Sequence, residues 1–501
     1  MSDLPFGYVY DERMLEHECA YDETMQERPE RMVHIHNRLD HDGLLKGAVK
    51  VEAREATDSE LMLNHPGDLV RELDALSTDE ECEEYCRDKE ILWLCPKSAQ
   101  AARVAAGGTI ELVKANIEGR VGNSFAIVRP PGHHAFGRVP QGYCVFNNVA
   151  VAAKYAVEHL GIKKVAVVDF DYHAGNGTHY CLRGDPRFHF TSFHAYHHGS
   201  FWPYSSEFDY DTQYENTLMF PLNGALNTEG DYISAFHHVL LPMLRCFKPE
   251  AYLSSYRPGS ILATTIYRER KAKASKPMGL FGHMVRMLNE ICPNRVIAVL
   301  EGGYYVTNYT EAASMMVRGL QGLPLPQLSI GKLSPAFKET IWNNLVHHAP
   351  RYPLLHQWLR KLQANQVTLK HGLPEYKPRP TLYLGKGMRE LWEETKRTRA
   401  VRTREWFPEL TRDEKKLCDE AIAAYVKTYN YTAPTEDPSE QFLMQQMTWT
   451  ERSGVEAFAH SAPICLHFVH EFTDFLEGKR QSVMICDREL MPVNCFSISC
   501  A

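Results

Sequence analysis

The stretch from Asp169 to His173 combines side chains that can bind a metal ion. Asp169, Asp171 and His173 alternate with two aromatic residues, so in an extended segment their three side chains point to the same side. A cation such as Zn²⁺ accepts carboxylate oxygen and imidazole nitrogen together. A helix-capping aspartate beside a buried histidine is the alternative explanation. The Gly-Asn-Gly that follows the motif favours the metal site.

Two further stretches carry groups that could act on a substrate beside such a metal. His133 and His134 follow a rigid Pro-Pro-Gly turn, and a neutral histidine can accept a proton from water. Tyr304 follows Glu301 and two glycines, where its hydroxyl could stabilise a developing oxyanion. Each signal is weak alone, because the chain has 24 histidines and three other histidine doublets.

Each of these three stretches follows a short apolar run, which predicts how they are positioned. The runs at 125–128, 165–168 and 296–300 have the length and composition of buried parallel strands, and 251–255 resembles them. Helical spacing of apolar residues predicts helices at 98–119, with Ser98 as its N-cap, and at 149–160, 232–240 and 281–288. Alternating strands and helices indicate an α/β fold with a single, mostly parallel sheet. Ligands bind outside the carboxyl ends of such strands, so the three loops should meet in one crevice.

The composition excludes several classes of protein. The 501 residues are 44% hydrophobic and carry a formal net charge of −8, so no overall basic field exists to hold nucleic acid or an anionic membrane. The apolar runs are far shorter than the ~20 residues of a membrane span, and the amino terminus has no signal-peptide pattern. The 13 cysteines include no CxxC pair, which favours a reduced, intracellular compartment.

The carboxyl-terminal third differs in composition and carries no assignable motif. A Gly-Leu-Pro-Leu-Pro stretch at 322–326 predicts a boundary. We therefore expect a catalytic domain over 1–328 and an α-rich extension over 329–501, with a helix at 414–429. A basic run at 396–404 fits both a nuclear localisation patch and a solvated helix face.

Four motifs, taken together and in order, resemble those of the zinc-dependent histone deacetylases. They are Arg-Pro-Pro-Gly-His-His-Ala at 129–135, the stretch from Gly-Tyr-Cys-Val-Phe at 142–155, Val-Asp-Phe-Asp-Tyr-His-Ala-Gly-Asn-Gly-Thr at 168–178 and Leu-Glu-Gly-Gly-Tyr at 300–304. Three amino-terminal stretches look most like those of class II members, namely Gly-Tyr-Val-Tyr-Asp-Glu-Arg-Met-Leu at 7–15, Arg-Pro-Glu-Arg-Met at 28–32 and Ala-Arg-Glu-Ala-Thr-Asp-Ser-Glu-Leu at 53–61. The resemblance covers residues 7–325, implies the arginase/deacetylase fold, and does not reach the carboxyl-terminal third.

The resemblance implies a role for each residue that matches a family motif. Asp171 and His173 correspond to zinc ligands. Asp169 corresponds to the residue that orients the first histidine and borders a monovalent-cation site of the K⁺ type.

In the same way, His133 and His134 correspond to the tandem histidines, one of which is the general base, and Asn176 to the partner of the second. Tyr304 corresponds to the oxyanion-stabilising tyrosine. Gly142, Tyr143 and Trp202 fall where aromatic walls line the acyl-lysine tunnel.

The resemblance also implies a function and a setting. The expected reaction is zinc-dependent removal of acetyl groups from lysine side chains of histones or other proteins. Chromatin regulation, corepressor-type protein partners and a nuclear or cytoplasmic location follow as expectations, without direct contact to nucleic acid or membrane.

One departure from the family pattern concerns the third zinc ligand. The family has an aspartate in Ser-Ala-Gly-Phe-Asp after the strand at 251–255, whereas this chain has Ser-Ser-Tyr-Arg-Pro-Gly-Ser-Ile at 254–261, with Gly259 near the expected position. No Asp or Glu occurs between Ala251 and Arg268. Catalytic zinc normally keeps three protein ligands, and two are present here.

We hypothesise that a compensated frameshift over 256–276 explains the departure. Codons for Val-Ser-Ala-Gly-Phe-Asp, read one base out of frame, give Tyr-Arg-Pro-Gly-Ser and the start of Ile, the residues at 256–261. Sequencing the transcript is decisive, since an unshifted codon series in independent clones would reject the hypothesis. Two other functions stay open. One is a scaffold or binding protein on a deacetylase fold, and the other is a deacetylase for small acetylated amines such as polyamines.

Overall fold

The computed structural model describes most of the first 356 residues and three later strands. The described residues are 4–19, 25–199, 201–223, 227–256, 279–304, 306–328, 333, 335–356, 464–468, 481–487 and 494–498. Among these residues, no helix combines the length and apolarity that crossing a membrane requires.

Eight parallel strands form one sheet, which confirms the predicted α/β class. The strands are β1 (Gly7–Val9), β2 (Val49–Lys50), β3 (Ser124–Ala126), β4 (Val165–Asp169), β5 (Phe188–Ala195), β6 (Thr217–Leu222), β7 (Ala251–Tyr256) and β8 (Val296–Leu300). Their order is β2-β1-β3-β8-β7-β4-β5-β6, and every neighbouring pair is parallel. All carboxyl ends therefore lie along one edge of the sheet.

Helices cover the sheet and bury its apolar strands. They are α1 (Glu30–His41), α2 (Asp58–Leu61), α3 (Gly67–Asp74), α4 (Asp79–Cys86), α5 (Ser98–Ile117), α6 (Asn148–His159), α7 (Asn176–Leu182), α8 (Glu229–Ala235), α9 (Leu241–Phe247), α10 (Gly279–Ile291), α11 (Val306–Leu320) and α12 (Pro335–His348). Strands β3, β4 and β8 are buried along their whole length, as their continuous apolar runs predict.

Two helix boundaries differ from the sequence prediction for identifiable reasons. Ser98 is the first residue of α5 and does not cap it, because its hydroxyl accepts the Cys95 N–H at 2.8 Å and contacts His17. The helix predicted at 232–240 is interrupted by a π-helical turn, Phe236–Leu240, before α9. Pro242, in the first turn of α9, has no N–H to continue the α-helical pattern.

The helix that follows the predicted boundary at 328 packs on the main sheet. Phe337, Ile341 and Leu345 of α12 are buried, and Thr340 donates a hydrogen bond from Oγ1 to the Pro221 carbonyl of β6 at 2.9 Å. The division at 328 stays a prediction.

The described part of the chain after residue 356 contains strands, whereas the sequence predicts mainly helices there. Strands β9 (Ile464–Phe468), β10 (Gln481–Asp487) and β11 (Asn494–Ile498) form an antiparallel sheet in the order β11-β10-β9. Such runs of five to seven residues have the length of strands and are too short for a helical period. The helix predicted at 414–429 and the basic run at 396–404 lie outside the described residues.

Buried neutral histidines make the stability of this fold sensitive to acid. His17, His189 and His348 are buried, and burial, which His347 reinforces at His348 and Arg129 at His17, lowers the pKa of each to about 3. The unfolded chain binds these protons below pH ~6.5 and the folded chain does not. Stability is therefore present above pH ~6.5 and falls as the pH drops toward 3.

We expect the free energy of unfolding to fall by about 2 kcal/mol per buried histidine between pH 6.5 and 5. Urea unfolding at both pH values measures the loss. His348→Phe removes one titrating group and should make the dependence shallower, whereas His41→Asn alters a side chain that is 54% exposed and should leave it unchanged. Parallel pH curves for wild type and His348→Phe would contradict this account.

Candidate active site

Two adjacent histidines lie side by side at the carboxyl edge of the sheet, each held by a different partner. The His133 and His134 ring centroids are 3.8 Å apart. His133 Nδ1 lies 3.0 Å from Asp169 Oδ2 at the end of β4, and His134 Nδ1 lies 2.8 Å from Asn176 Oδ1 at the start of α7. Each partner oxygen accepts a hydrogen bond from the Nδ1–H group. Both Nε2 atoms are therefore left to face the crevice.

The surroundings of the two histidines shift their pKa values in opposite directions. Burial alone would lower the pKa of His133, but the carboxylates of Asp171 and Asp169 outweigh it and raise this pKa to about 9. Burial, reinforced by His133 and His173, holds the pKa of His134 well below its usual value. The pair therefore combines a cationic ring with a neutral ring, the arrangement that separates acid and base roles.

Asp171 and His173 are placed so that one ion could contact both. Asp171 is fully buried, and its Oδ1 lies 3.5 Å from His173 Nδ1 and accepts the His173 N–H at 2.8 Å. Its Oδ2 lies 3.7 Å from His133 Nε2. Two ligand atoms each ~2.0–2.2 Å from a tetrahedral zinc are about 3.4 Å apart. The donor types and spacing therefore fit Zn²⁺.

The position of the missing third ligand is adjacent to this pair. Strand β7 lies between β4 and β8, with Ser255 paired to Asp169 and Tyr256 paired to Leu300. The chain after Tyr256, including Gly259 and the hypothesised frameshift, lies outside the described residues.

A second group of potential metal ligands includes His133 and two residues that were not predicted from the sequence. Ligand atoms of His133, Cys144 and Glu301 all lie within 4.8 Å of one another and are buried. Glu301 Oε2 already accepts the backbone N–H groups of Gly132 and His133 at 2.7 and 3.0 Å. Burial also raises the pKa of Glu301 to about 7 and that of the Cys144 thiol well above its usual value. We interpret this group as structural, because deprotonated ligands are disfavoured there.

The residues expected at the tunnel surround the histidine pair. The Trp202 ring meets the edge of His134 at a centroid distance of 4.6 Å and an interplanar angle of 85°. Tyr143 meets Tyr304 in the same manner at 5.6 Å. Phe201, which the sequence analysis did not single out, stacks on His173 at 5.2 Å. The structure thus brings all ten sequence-predicted site residues to one edge of the sheet.

Gly142 has a structural reason to be glycine, and its substitution tests the position of His134. Its φ is +57°, and a Cβ there would lie 2.5 Å from His134 Cδ2. In a chain that carries the third zinc ligand, we expect Gly142→Ala to lower kcat of the expected deacetylation by at least about 100-fold, because a displacement of ~1 Å at a reacting group has that effect. Gly119→Ala is the matched control, since Gly119 has a φ of +74° with nothing within 4 Å. Equal effects of the two substitutions on turnover would contradict the argument.

A buried ionic network lies under the loop that carries Tyr304. The Glu27 carboxylate accepts hydrogen bonds from Arg129 at 2.6 and 3.0 Å and from Arg31 at 3.1 Å. Arg31 donates to the carbonyls of Glu301 and Gly302, and its guanidinium carbon lies 5.3 Å from the Tyr304 ring centroid. The network fixes the backbone that leads into Tyr304.

Comparison with known proteins points to one family. The family model described as the histone deacetylase domain matches residues 25–320. Polyamine deacetylase HDAC10 of Homo sapiens is 35% identical over 386 residues, 75% of this chain and 56% of the relative. Histone deacetylase 5 of Arabidopsis thaliana is 32% identical over 327 residues, 63% of this chain and 48% of the relative. The chain spans about half the length of the curated relatives that it matches.

A solved structure gives the same result for the fold. The crystal structure of the HDA15 HD domain superposes with a TM-score of 0.64 at 28% identity. The match covers 72% of this chain and 99% of that structure.

Proposed function

This chain belongs to the histone deacetylase domain family, and from that premise we propose that it hydrolyses the acetyl group of N-acetyl-lysine side chains in histones or other proteins in a zinc-dependent reaction. The observation that carries the proposal is the placement of Asp171 and His173 within one cluster with His133 and His134, in which only His173 is partly exposed. Deacetylase activity in general is supported by the relatives, while the lysine substrate and the zinc are our inference.

The residues of this chain supply the remaining parts of an amide hydrolysis. Asp171 and His173 would hold Zn²⁺, which when bound lowers the pKa of water and polarises a carbonyl. His134, neutral and fixed by the amide of Asn176, is the group able to accept a proton at Nε2. His133, held by Asp169, lies beside it. The Tyr304 hydroxyl would donate to the developing oxyanion, and the aromatic walls would pack on the aliphatic stem of the substrate.

A second candidate is the deacetylation of small acetylated amines. The observation that favours it is the 35% identity to a protein named a polyamine deacetylase. Comparing an acetyl-lysine peptide with acetylated spermidine as substrates separates the two candidates, since a preference for the polyamine of more than about 100-fold would replace our first proposal by the second.

The absent third ligand favours a third candidate, a protein that binds partners through a deacetylase fold without turnover. No Asp or Glu occurs between Ala251 and Arg268. Two protein ligands are fewer than catalytic zinc normally keeps.

Zinc removal and restoration of the aspartate test the proposal together. The test compares the full chain with a variant in which residues 256–259 are replaced by Ala-Gly-Phe-Asp, so that together with Ser255 the chain carries Ser-Ala-Gly-Phe-Asp with its aspartate at position 259. We expect the variant to bind one zinc ion tightly and to hydrolyse an acetyl-lysine peptide, with turnover lost to a chelator and recovered with Zn²⁺. Asp171→Asn in the variant is the matched control and should lower zinc affinity. A zinc-loaded variant that turns over neither peptide nor acetylated spermidine would sink the enzyme proposal and leave the binding protein.

We extend the proposal to the setting of the protein, on the strength of family membership alone. We propose a nuclear or cytoplasmic location and corepressor-type protein partners. We also propose that a monovalent cation such as K⁺ binds beside Asp169. Fractionation of cells that express a tagged chain tests the location, and recovery of the chain in membranes or outside the cell would contradict it.

A further inference from the structure

The tunnel has two walls that are far apart in the sequence, and one residue contacts both. The family resemblance implies that one wall is Gly142 and Tyr143 and the other is Trp202; the Tyr143 ring contacts Tyr304 and the Trp202 ring contacts His134. Glu90, in the connection between α4 and α5, meets the first wall through its backbone and the second through its side chain.

The contact with the first wall is a pair of backbone hydrogen bonds. The Gly142 N–H donates to the Glu90 carbonyl at 3.0 Å, and the Tyr143 N–H donates to the Ile91 carbonyl at 2.9 Å. Ile91 has a φ of +48° and Tyr143 a φ of +67°. A left-handed conformation is unfavourable for a β-branched residue and persists only where its surroundings impose it. The two segments are therefore held against each other at a cost in backbone strain.

The contact with the second wall is a charge-assisted hydrogen bond. The Trp202 indole Nε1–H donates to Glu90 Oε1, although the two residues are 112 positions apart. Trp202 is 5% exposed, and an indole N–H that is buried normally finds a partner of this kind. The same ring meets the edge of His134, so the orientation of Trp202 bears on both the tunnel and the general base.

We propose that Glu90 is a positioning residue that ties the two tunnel walls together and so sets the width of acyl chain that the tunnel accepts. The inference rests on the proposed function, because the acyl group is taken to enter between these walls. Loss of the side-chain bond frees Trp202 to rotate away from Tyr143, and the tunnel then admits an acyl group broader than acetyl. The backbone bonds of Glu90 and Ile91 stay in place, so the first wall does not move.

The first experiment measures the bond itself and does not depend on turnover. Urea unfolding is compared for the full chain, Glu90→Ala, Trp202→Phe and the double variant. We expect each single variant to raise the unfolding equilibrium constant about tenfold and the double variant to raise it no further, because both remove the same hydrogen bond. Fully additive effects would overturn the proposed tie between Glu90 and Trp202, whether or not the chain is a deacetylase.

The second experiment measures selectivity in the variant with restored residues 256–259. The ratio of kcat/KM for butyryl-lysine over acetyl-lysine peptide is the readout. We expect Glu90→Ala and Trp202→Phe each to raise it about tenfold, equivalent to ~1.4 kcal/mol, and Glu90→Gln, which keeps an oxygen acceptor, to raise it less.

Asp88→Ala is the matched control, because it removes a nearby exposed negative charge without touching either wall. A ratio unchanged in Glu90→Ala, or moved equally by Asp88→Ala, would overturn the proposal. Absence of turnover on every acylated peptide would instead count against the proposed function, and the unfolding experiment would still test the tie between Glu90 and Trp202.

Discussion

Replacing Tyr304 by phenylalanine should lower kcat for acetyl-lysine peptide by about 10²–10³-fold in the zinc-loaded variant with restored residues 256–259, the effect of losing one oxyanion donor. The ring should stay in place, because its contacts with Tyr143 and with the Arg31 guanidinium involve the aromatic face and edge. KM should change little, since the hydroxyl acts on charge that develops after binding.

Steady-state kinetics with matched zinc content measure the effect. Tyr352→Phe is the control, because its hydroxyl donates to the Glu215 carbonyl and takes no part in the site. A Tyr304→Phe protein with wild-type kcat would remove the tyrosine from the mechanism, and a change confined to KM would make it a binding residue.

Replacing Glu27 by leucine should destabilise the fold by about 3–5 kcal/mol, because it leaves buried guanidinium groups without their shared carboxylate. Glu27, Arg31 and Arg129 are all at most 2% exposed. Burial alone would raise the pKa of Glu27, but Arg129 and Arg31 outweigh it and lower this pKa to about 2. Since whole domains are stable by only ~5–15 kcal/mol, one substitution would remove a large part of the total.

Chemical denaturation measures this loss, and Glu84→Gln provides the contrast. Glu84 pairs with Arg87 on the surface, where both side chains are more than 60% exposed, so we expect a change of only ~0–1 kcal/mol. Similar losses in the two variants would show that the buried network carries no special stability. Activity should also fall in Glu27→Leu, because Arg31 is the link from Glu27 to the carbonyls of Glu301 and Gly302.

The strands nearest the site could be predicted because their burial leaves a plain apolar signal. Residues 165–168 and 296–300 became β4 and β8 with bounds shifted by at most one residue. Strand β5 was not predicted, although it is buried throughout. It contains polar residues that satisfy one another locally, such as His189 Nε2 with Thr191 Oγ1 at 2.9 Å. Neither apolar–polar alternation nor a continuous apolar run marks a buried strand of that kind in the sequence.

The predicted site residues lie together because strand ends of one parallel sheet share an edge. Asp169 and Asn176, which hold the two histidines, were among the predicted residues, whereas Glu27 and Glu90, which hold the surrounding segments, were not, since their partners are distant in sequence. Glu27 lies 102 positions from Arg129, and Glu90 lies 112 positions from Trp202. No local pattern marks such a carboxylate, and only the folded chain shows that its charge is buried or that its oxygen meets an indole.

Because of where β7 ends in the sheet, a mutation can remove the third metal ligand without disturbing the strand pairing. The ladders of β7 to β4 and β8 end at Ser255 and Tyr256, before the segment around Gly259, near which the family keeps its third ligand. A change in that segment can remove a metal ligand without breaking any of these ladders. Quality control that degrades unstable chains would not detect such a change. We therefore expect a chain altered in this way to fold and accumulate normally while lacking the third metal ligand.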